Sequence, residues 1–578
     1  MTQAYDVIIR NGIVVDGTGG EPAKADIAIR GGTIAHVGRI EGTAAEELDA
    51  TGRIVTPGFV DLHTHYDGQA IWSEHLSPSS SHGVTTVVMG NCGVGFAPCR
   101  PADHELLVSV MEGVEDIPGV VMTEGLSWNW ESFPDYLDAL DAGRRDIDVA
   151  AYVPHSPLRV YAMGERGATR QPATPADLDR MRALTQEAIE AGAIGFATSR
   201  QFIHRRRDGT PIPTYEAAET ELSAVANALT RAGRGVLQIV TNSPFSDWSS
   251  EVAQVCSLAR ESGRPTMFTL GANNEGKQGW REALELVSEA NAEGAVVKGQ
   301  VFPRGVGMIV GHNLSVNPFS LCPSYQSLAA LPLSQKLAAL RRADVRSKLV
   351  TEGPIDALLP LNLIARNYEW MFALGDPPVY DPPKSASIAA QARRLGVTPA
   401  EWAYERLLEN DGNATLLVVI GNYPEASLDD VLEMMQHEHT VLGLGDGGAH
   451  YGMICDASFP TFLLTYWTRD RIGKRMPLAT AIRALTSEAA QCVGLHDRGI
   501  IAAGYKADIN IIDIQRLQLH APEVVFDLPA GGRRLDQRVD GYDATLVSGR
   551  VIRRNGKHTG SLPGRLVRGS GLQPRQQN

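Results

Sequence analysis

The stretch of sequence that decides the fold is Val60-Asp61-Leu62-His63-Thr64-His65, which continues an apolar run that begins at Ile54. Residues i and i+2 of a β-strand point to the same face, so the imidazoles of His63 and His65 can converge on one point where the strand ends. Neutral imidazole is the commonest metal-binding side chain near neutral pH. Two histidines at this spacing also occur in ordinary polar loops, but the buried character of the run favours a metal site that serves hydrolytic chemistry.

The composition is that of a globular, acidic protein, with 578 residues, a formal net charge of −14 and 43% hydrophobic residues. Binding to nucleic-acid phosphates requires clustered Lys and Arg. Arg205–Arg207 is the only tight basic run, so we expect no nucleic-acid partner. No apolar run approaches the length of a membrane span, no signal peptide is visible, and the six cysteines are scattered. We therefore expect a cytoplasmic protein with a small-molecule substrate and no membrane partner; assembly into a homo-oligomer stays open.

Both ends of the chain have the pattern of short β-strands separated by turns. We predict that Asp6–Arg10 turns at Asn11-Gly12 and that Asp26–Arg30 turns at Gly31-Gly32. Similar strand patterns return near the C-terminus, at residues 508–513, 543–547 and 551–553. These patterns predict one small β-domain built from residues 1–56 and 501–560, followed by a tail at 561–578.

The middle of the chain, residues 57–500, alternates short apolar runs with helical stretches. One predicted helix, Pro175–Ala191, has a capping residue at Thr174 and a stop at Gly192. Repeated strand–helix alternation predicts an α/β fold, and at this length a (β/α)8 TIM barrel with its active site at the C-terminal ends of the strands. The Pro-rich and aromatic-rich stretch at about 305–400 is predicted to be an insertion over the barrel mouth. The clearest predicted strands are residues 85–89, 149–153, 194–197, 236–240, 416–420 and 441–444.

Further candidate site residues follow the predicted strands. Cys92 comes shortly after the strand at 85–89, where a cysteine can be a metal ligand or simply a small core residue. Asp446 follows the last predicted barrel strand, where it can bind a metal and take a proton from water, or merely form an Asp-Gly turn. The weaker candidates are Glu115, Asp116, His155, His204 and Lys298.

Segments spread over most of the chain form a combination that is far more specific than two spaced histidines. They are residues 6–12, 16–19, 57–65, 83–87, 90–93, 158–159, 163–164, 190–196, 446–450 and 504–508. With these segments the chain resembles the amidohydrolase superfamily and, within it, the D-aminoacylase (N-acyl-D-amino-acid deacylase) branch. The resemblance implies a metal-dependent barrel with a flanking β-sandwich, in which water activated by the metal cleaves an amide. It also implies that His63, His65 and Cys92 are metal ligands, and that Asp446 is both a ligand and the general base and acid.

The chain departs from this family at two positions. The family usually offers two more histidine ligands, on the fifth and sixth strands, where this chain has Gln238 and Leu270. We therefore expect one divalent ion, most simply zinc, rather than two. If another side chain completes the metal site, the best candidates for a replacement ligand are Glu115, His155 and His450, with Lys298 as a further candidate.

The resemblance favours hydrolysis of the C–N amide bond of an N-acyl (D-)amino acid. We expect Arg304 to hold the substrate carboxylate, with Arg205–Arg207 as the second choice, and His155 to line the site. One alternative is a hydrolase of another C–N bond, in a cyclic amide, urea or carbamate. The other is a catalytically silent barrel that only binds its ligand.

Overall fold

The computed structural model describes residues 5–242, 247–274, 279–355 and 364–569. Its strands are β1 (Tyr5–Val14), β2 (Ala23–Arg30), β3 (Thr33–Gly38), β4 (Ala44–Asp49), β5 (Ile54–Pro57), β6 (Phe59–Asp61), β7 (Val84–Met89), β8 (Asp148–Pro154), β9 (Gly195–Ser199), β10 (Val236–Val240), β11 (Thr266–Leu270), β12 (Val297–Val301), β13 (Val306–Val310), β14 (Met371–Ala373), β15 (Leu416–Gly421), β16 (Thr440–Leu442), β17 (Ile509–Ile512), β18 (Gln518–Val525), β19 (Arg534–Asp540), β20 (Tyr542–Val547), β21 (Arg550–Arg554) and β22 (Lys557–His558). Its α-helices are α1 (Gln69–Trp72), α2 (His104–Glu115), α3 (Gly119–Gly125), α4 (Phe133–Ala142), α5 (His155–Met163), α6 (Glu165–Ala168), α7 (Pro175–Ala191), α8 (Glu219–Ala232), α9 (Trp248–Ser262), α10 (Gly279–Ala292), α11 (Pro323–Ala329), α12 (Leu333–Leu340), α13 (Ala343–Thr351), α14 (Ile388–Leu395), α15 (Pro399–Leu407), α16 (Glu409–Gly412), α17 (Asp429–Gln436), α18 (Phe459–Phe462), α19 (Leu478–Arg483) and α20 (Ala489–Cys492). Two segments are π-helical, Leu463–Asp470 and Ala484–Glu488.

Eight parallel strands form the barrel, in the order β6-β7-β8-β9-β10-β11-β12-β16. All residues of β7 through β10 are buried, as in a parallel sheet that helices cover. Helix α7 begins after a capping box between Thr174 and Asp177 and ends at Gly192, so this predicted helix is confirmed. The predicted α/β barrel is also confirmed, and the C-terminal ends of its strands are where an active site is expected.

A second sheet combines strands from both ends of the chain. Its order is β22-β21-β20-β17-β5-β1-β2-β3, with β4 beside β1. The hairpin at Gly31-Gly32 is confirmed, because β2 and β3 pair antiparallel across it. The predicted turn at Asn11-Gly12 is wrong: β1 runs on through a bulge in which Asn11 has φ 61°. An Asn-Gly pair supplies the positive φ that either a hairpin turn or a bulge requires, so sequence alone does not separate the two. The proposed domain boundaries at residues 56, 500 and 560 stay a prediction that this sheet supports.

The insertion is larger than the sequence predicted. The apolar run at 416–420 is not a barrel strand; as β15 it lies between β13 and β14 in an antiparallel sheet of its own. This sheet shares a separate hydrophobic core with α11, α14 and α15. A short, fully apolar run fits a buried strand of either sheet, which is why the pattern misled the prediction. The insertion reaches the loop after β16, since Ile309 N donates to Met453 O at 2.6 Å.

The start of the predicted tail packs against the barrel. Val149 of β8 donates to Arg565 O at 3.0 Å and accepts from Val567 N at 2.7 Å. The segment therefore extends the barrel wall beside its third strand, while residues 570–578 lie outside the described part of the chain. Among the described residues, no helix combines the length and apolar character needed to cross a lipid bilayer.

Candidate metal centre

Three neighbouring barrel strands bring the four predicted ligands together. His63 and His65 follow β6, Cys92 follows β7, and Asp446 follows β16. These are the first, second and eighth strands of the barrel, so their C-terminal ends lie side by side around the ring. Two backbone hydrogen bonds join the loops: Asp446 N donates to His63 O at 3.0 Å, and His65 N donates to Gly447 O at 2.8 Å.

The side chains of these residues point their donor atoms at one small volume. Cys92 Sγ lies 3.5 Å from His63 Nε2 and 3.8 Å from His65 Nε2. Asp446 Oδ1 lies 3.6 Å from Nε2 of each histidine. Tetrahedral zinc with its usual bond lengths separates N, S and O ligands by about 3.3–3.6 Å. The donor atoms of His63, His65 and Cys92 all lie within 4.8 Å of one another and can hold one small divalent ion, with Asp446 Oδ1 beside the two histidines.

The backbone at this point is held in unusual conformations. Cys92 has φ 55° and Asp446 has φ 47°, both in the left-handed region that costs energy for a residue with a side chain. Gly445, just before Asp446, lies so close to the first strand that a Cβ atom there would stand 2.0 Å from Asp61 Oδ2. Close approach of the eighth-strand loop to the first strand is therefore what places the Asp446 carboxylate over the histidines.

Burial keeps the two imidazoles neutral. It lowers the pKa of His63 to about 4, with smaller opposing effects from Asp446, and lowers the pKa of His65 to about 3. A neutral imidazole has a free lone pair, which is the form that binds a metal ion. Both side chains are therefore ready to act as ligands at neutral pH.

Buried carboxyl groups surround the cluster. Burial raises the pKa of Asp61 to about 8 and that of Asp67 to about 7, and it raises the pKa of Glu115 well above its usual range. The Asp446 charge adds to this effect at Asp61 and Glu115. A divalent cation among these groups would offset the cost of their negative charge. The donor set and its electrostatics thus both fit a bound cation.

Known proteins resemble this chain over most of its length. A model of the amidohydrolase family matches residues 46–553. The chain belongs to the amidohydrolase family.

Several relatives share nearly the whole length of this amidohydrolase. The D-aminoacylase of Alcaligenes xylosoxydans xylosoxydans is 25% identical, over 98% of each chain. The N-acyl-D-glutamate deacylase of the same organism is 27% identical, over 89% of this chain and 88% of the relative. A solved D-aminoacylase with a binuclear metal centre has the same fold, with a TM-score of 0.66, 24% identity and coverage of 98% of this chain and 100% of the other. The predicted D-aminoacylase-like branch and the predicted metal-dependent hydrolase are thereby confirmed.

Two glutamines contact the back of His63 in this amidohydrolase. His63 Nδ1 lies 3.2 Å from Gln300 Oε1 and 3.5 Å from Gln238 Nε2, and the two amides bond each other at 3.3 Å. Gln300, on the seventh strand, was missed by the sequence reasoning. A polar residue at an inward position of a buried strand was the available signal. Leu270 is not the position that faces the site, because it packs in the outer core while Met267 pairs with Gln238 inside the barrel.

Glu115 and His450 both lie beside the cluster. Glu115 Oε1 is 3.3 Å from His65 Nδ1, and Oε2 is 3.4 Å from His450 Nε2. The rings of His65 and His450 meet edge to face, with centroids 6.5 Å apart. His204 is also near, since its low pKa, about 3, results from burial and then from the three histidines His450, His65 and His63.

Three other predicted residues are engaged elsewhere. His155 contacts Thr198 Oγ1 at 2.8 Å and Glu221 Oε1 at 2.9 Å, behind the barrel wall. Lys298 donates to backbone oxygens of residues 438 and 440, towards the start of the neighbouring strand. Arg304 is buried, with Nη2 2.6 Å from Asp456 Oδ1, so its charge is already paired.

A second group of potential ligands, His75, Asp146 and His558, lies between the barrel and the second sheet. The rings of His75 and His558 stack, with centroids 3.7 Å apart and an interplanar angle of 29°. Arg553 Nη2 also lies 2.7 Å from His558 Nε2. This arrangement favours a polar contact between the domains over a cation site.

Proposed function

We propose that this amidohydrolase cleaves the amide bond of N-acyl amino acids, with a preference for the D-enantiomer. The observation that carries the proposal is the convergence of His63, His65 and Cys92 at the barrel mouth, with Asp446 Oδ1 3.6 Å from Nε2 of both histidines. Support for the substrate class comes from two relatives of similar length, which are named D-aminoacylase and N-acyl-D-glutamate deacylase.

We propose one ion, held by His63, His65, Cys92 and Asp446. The positions where the family offers further histidines present no imidazole, and Gln238 is engaged with Gln300 and His63. Two nitrogens, one thiolate and one carboxylate suit zinc. A metal bound there supplies Lewis-acid chemistry, polarising the scissile carbonyl and making water a stronger nucleophile at neutral pH.

In this proposal Asp446 is the general base and then the general acid. Its side chain is 21% exposed, so water and substrate can reach the carboxylate, unlike the nearly inaccessible histidines. The carboxylate accepts a proton from the attacking water as the new C–O bond forms. It then gives that proton to the leaving nitrogen as the C–N bond breaks.

The substrate carboxylate needs a cation near the mouth. Arg304 is 2% exposed and pairs with Asp456 at 2.6 Å, whereas Arg206 is 24% exposed and lies 3.6 Å from Asp208, so we assign this role to the Arg205–Arg207 segment. This segment crosses the last turn of α2, where a Cβ atom on Gly113 would lie 2.3 Å from Arg205 O. Arg206 Nε is buried without a hydrogen bond among the described residues, so it is a group that a substrate could satisfy.

The test combines metal analysis with a substrate panel. We expect about one zinc-class ion per purified chain, and hydrolysis of N-acetyl-D-amino acids faster than of their L-enantiomers. His63→Ala and Asp446→Ala should each lower turnover at least ~100-fold, as loss of a transition-state interaction does. His36→Ala is the control, because His36 is exposed on β3.

Two results would contradict the proposal. Absence of a bound transition metal, with no turnover after Zn²⁺, Mn²⁺ or Co²⁺ is added, would refute the hydrolase. Turnover confined to cyclic amides, ureas or carbamates would refute the substrate class while keeping the metal site.

A further inference from the structure

Glu115 stands behind a proposed metal ligand, at the end of helix α2. We infer that Glu115 is a positioning residue, which holds the Nδ1 proton of His65 so that Nε2 faces the cation. The inference rests on the proposed function, since it requires a cation on His65. It adds a residue that the motif of the site does not contain.

The geometry places Glu115 on one side of the His65 ring and the cluster on the other. Oε1 of Glu115 is 3.3 Å from Nδ1, whereas Nε2 faces Cys92 Sγ at 3.8 Å and Asp446 Oδ1 at 3.6 Å. A neutral imidazole that gives its Nε2 lone pair to a cation must carry its proton on Nδ1. That proton lies on the ring edge next to Glu115, where Nδ1 is 3.3 Å from Oε1 but is not aligned for a hydrogen bond. A carboxylate in this place orients the ring and makes the ligand more basic.

Glu115 is suited to this task because it is buried and otherwise unsatisfied. Its side chain is 1% exposed, and neither of its oxygens makes a hydrogen bond to any described residue. The second oxygen faces His450 Nε2 at 3.4 Å. One carboxylate thus joins a ligand of the first strand to the loop that carries Asp446, and a cation nearby favours its ionised form.

The surroundings fix where this carboxylate lies. His450 N donates to Glu115 O, and the next residue, Asp116, accepts from Gly452 N at 3.0 Å and from Ser315 Oγ at 2.8 Å. The end of α2 is therefore clamped to the loop after β16 and to the insertion. A residue held this firmly can define a ring orientation.

The same geometry argues against Glu115 as a direct ligand. Its oxygens meet Nδ1 of His65, on the opposite edge of the ring from the nitrogen that faces Cys92 and Asp446. An ion that bound Nε2 of His65 would be separated from Glu115 by the width of the imidazole. Removing Glu115 should therefore weaken the ion's binding without changing its ligand set.

The experiment titrates metal-free protein with Co²⁺ and follows its visible spectrum and the cobalt–thiolate charge-transfer band. Variants Glu115→Gln and Glu115→Ala are compared with Glu105→Gln, because Glu105 is exposed in the first turn of the same helix. We expect the dissociation constant to rise ~10–100-fold in both Glu115 variants, as for other residues behind a ligand histidine, and to stay unchanged in the control. At saturating Co²⁺ the spectrum should match that of the wild type, and Glu115→Gln should recover most of its turnover.

Thermal unfolding of the metal-free variants separates a folding defect from weak binding, and Glu115→Gln keeps the shape of the side chain. Affinity within twofold of the wild type in both variants would overturn the inference alone. A saturated spectrum that reports a lost ligand would overturn it too, by making Glu115 a ligand. Failure of the wild type to bind Co²⁺ would instead overturn the proposed function, and this inference with it.

Discussion

Gly445→Ala tests how the barrel mouth places Asp446. A Cβ atom at position 445 would stand 2.0 Å from Asp61 Oδ2 and 3.0 Å from a ring carbon of Phe459. An ordinary contact needs about 3.4 Å, so the loop after β16 must move by roughly 1.4 Å. Asp61 cannot easily yield, because it is fully buried and its Oδ1 accepts from His63 N at 3.2 Å. Asp446, the next residue, moves with the loop.

Overpacking of this kind costs about 1–3 kcal/mol of unfolding free energy. Misplacing a reacting group by 1 Å costs turnover on the order of 100-fold. We therefore expect Gly445→Ala to lower both the free energy of unfolding, measured by urea unfolding, and the turnover of the best N-acyl substrate. Gly443→Ala is the matched control, because its Cβ atom would meet nothing closer than 3.8 Å. Equal stability and turnover in the two variants would show that close packing at Gly445 does not position Asp446.

Three further predictions concern other parts of the molecule. Arg498→Met removes the guanidinium at 2.7 Å from buried Asp148 but leaves Lys506 at 3.0 Å, so urea unfolding should show a loss of about 2 kcal/mol, the value of one charged hydrogen bond. No loss would mean that Arg498 contributes little net stability. Arg206→Gln should raise KM for N-acyl amino acids but not for the matching uncharged amides. A change in kcat without a change in KM would show that Arg206 does not bind the substrate carboxylate. Burial lowers the pKa of His82 to about 4. As the pH drops below about 6.5, the unfolded chain therefore binds a proton at His82 that the folded chain does not yet bind. The free energy of unfolding consequently falls between about pH 6.5 and pH 4. His82→Asn should flatten that decline in urea unfolding at pH 7 and 4.5, and an unchanged decline would assign it to other groups.

The sequence predicted the ligand cluster because each member directly follows a strand of the barrel. Once His63, Cys92 and Asp446 were read as residues at strand ends, the barrel alone was enough to bring them together. Long-range partners were harder to predict. Gln300 reaches His63 from 237 positions away, and which face it takes depends on the register of its strand.

One strand and two single residues show what a local sequence pattern cannot predict. The run at β15 is as apolar as a barrel strand, and only its own insertion core distinguishes it. A motif comparison places a site residue at Leu270 because it ignores which face of the strand a residue occupies. Met267 pairs with Gln238 on the inner face of the barrel, so Leu270 lies on the outer face. The pairing of Arg304 with Asp456 likewise depends on a loop that no local pattern places.

The pairing of β5 with β17 has a consequence for synthesis of the chain. Strand β5 leads directly into the first barrel strand, yet its partner Ile509–Ile512 is made about 450 residues later. At translation rates of about 5–20 residues per second, β5 waits roughly 20–90 seconds for that partner. During this time its apolar residues and one open edge are unprotected, which makes the nascent chain a natural client for chaperones. Slower folding and aggregation at the ribosome are therefore the expected cost of a sheet assembled from both ends of a long chain.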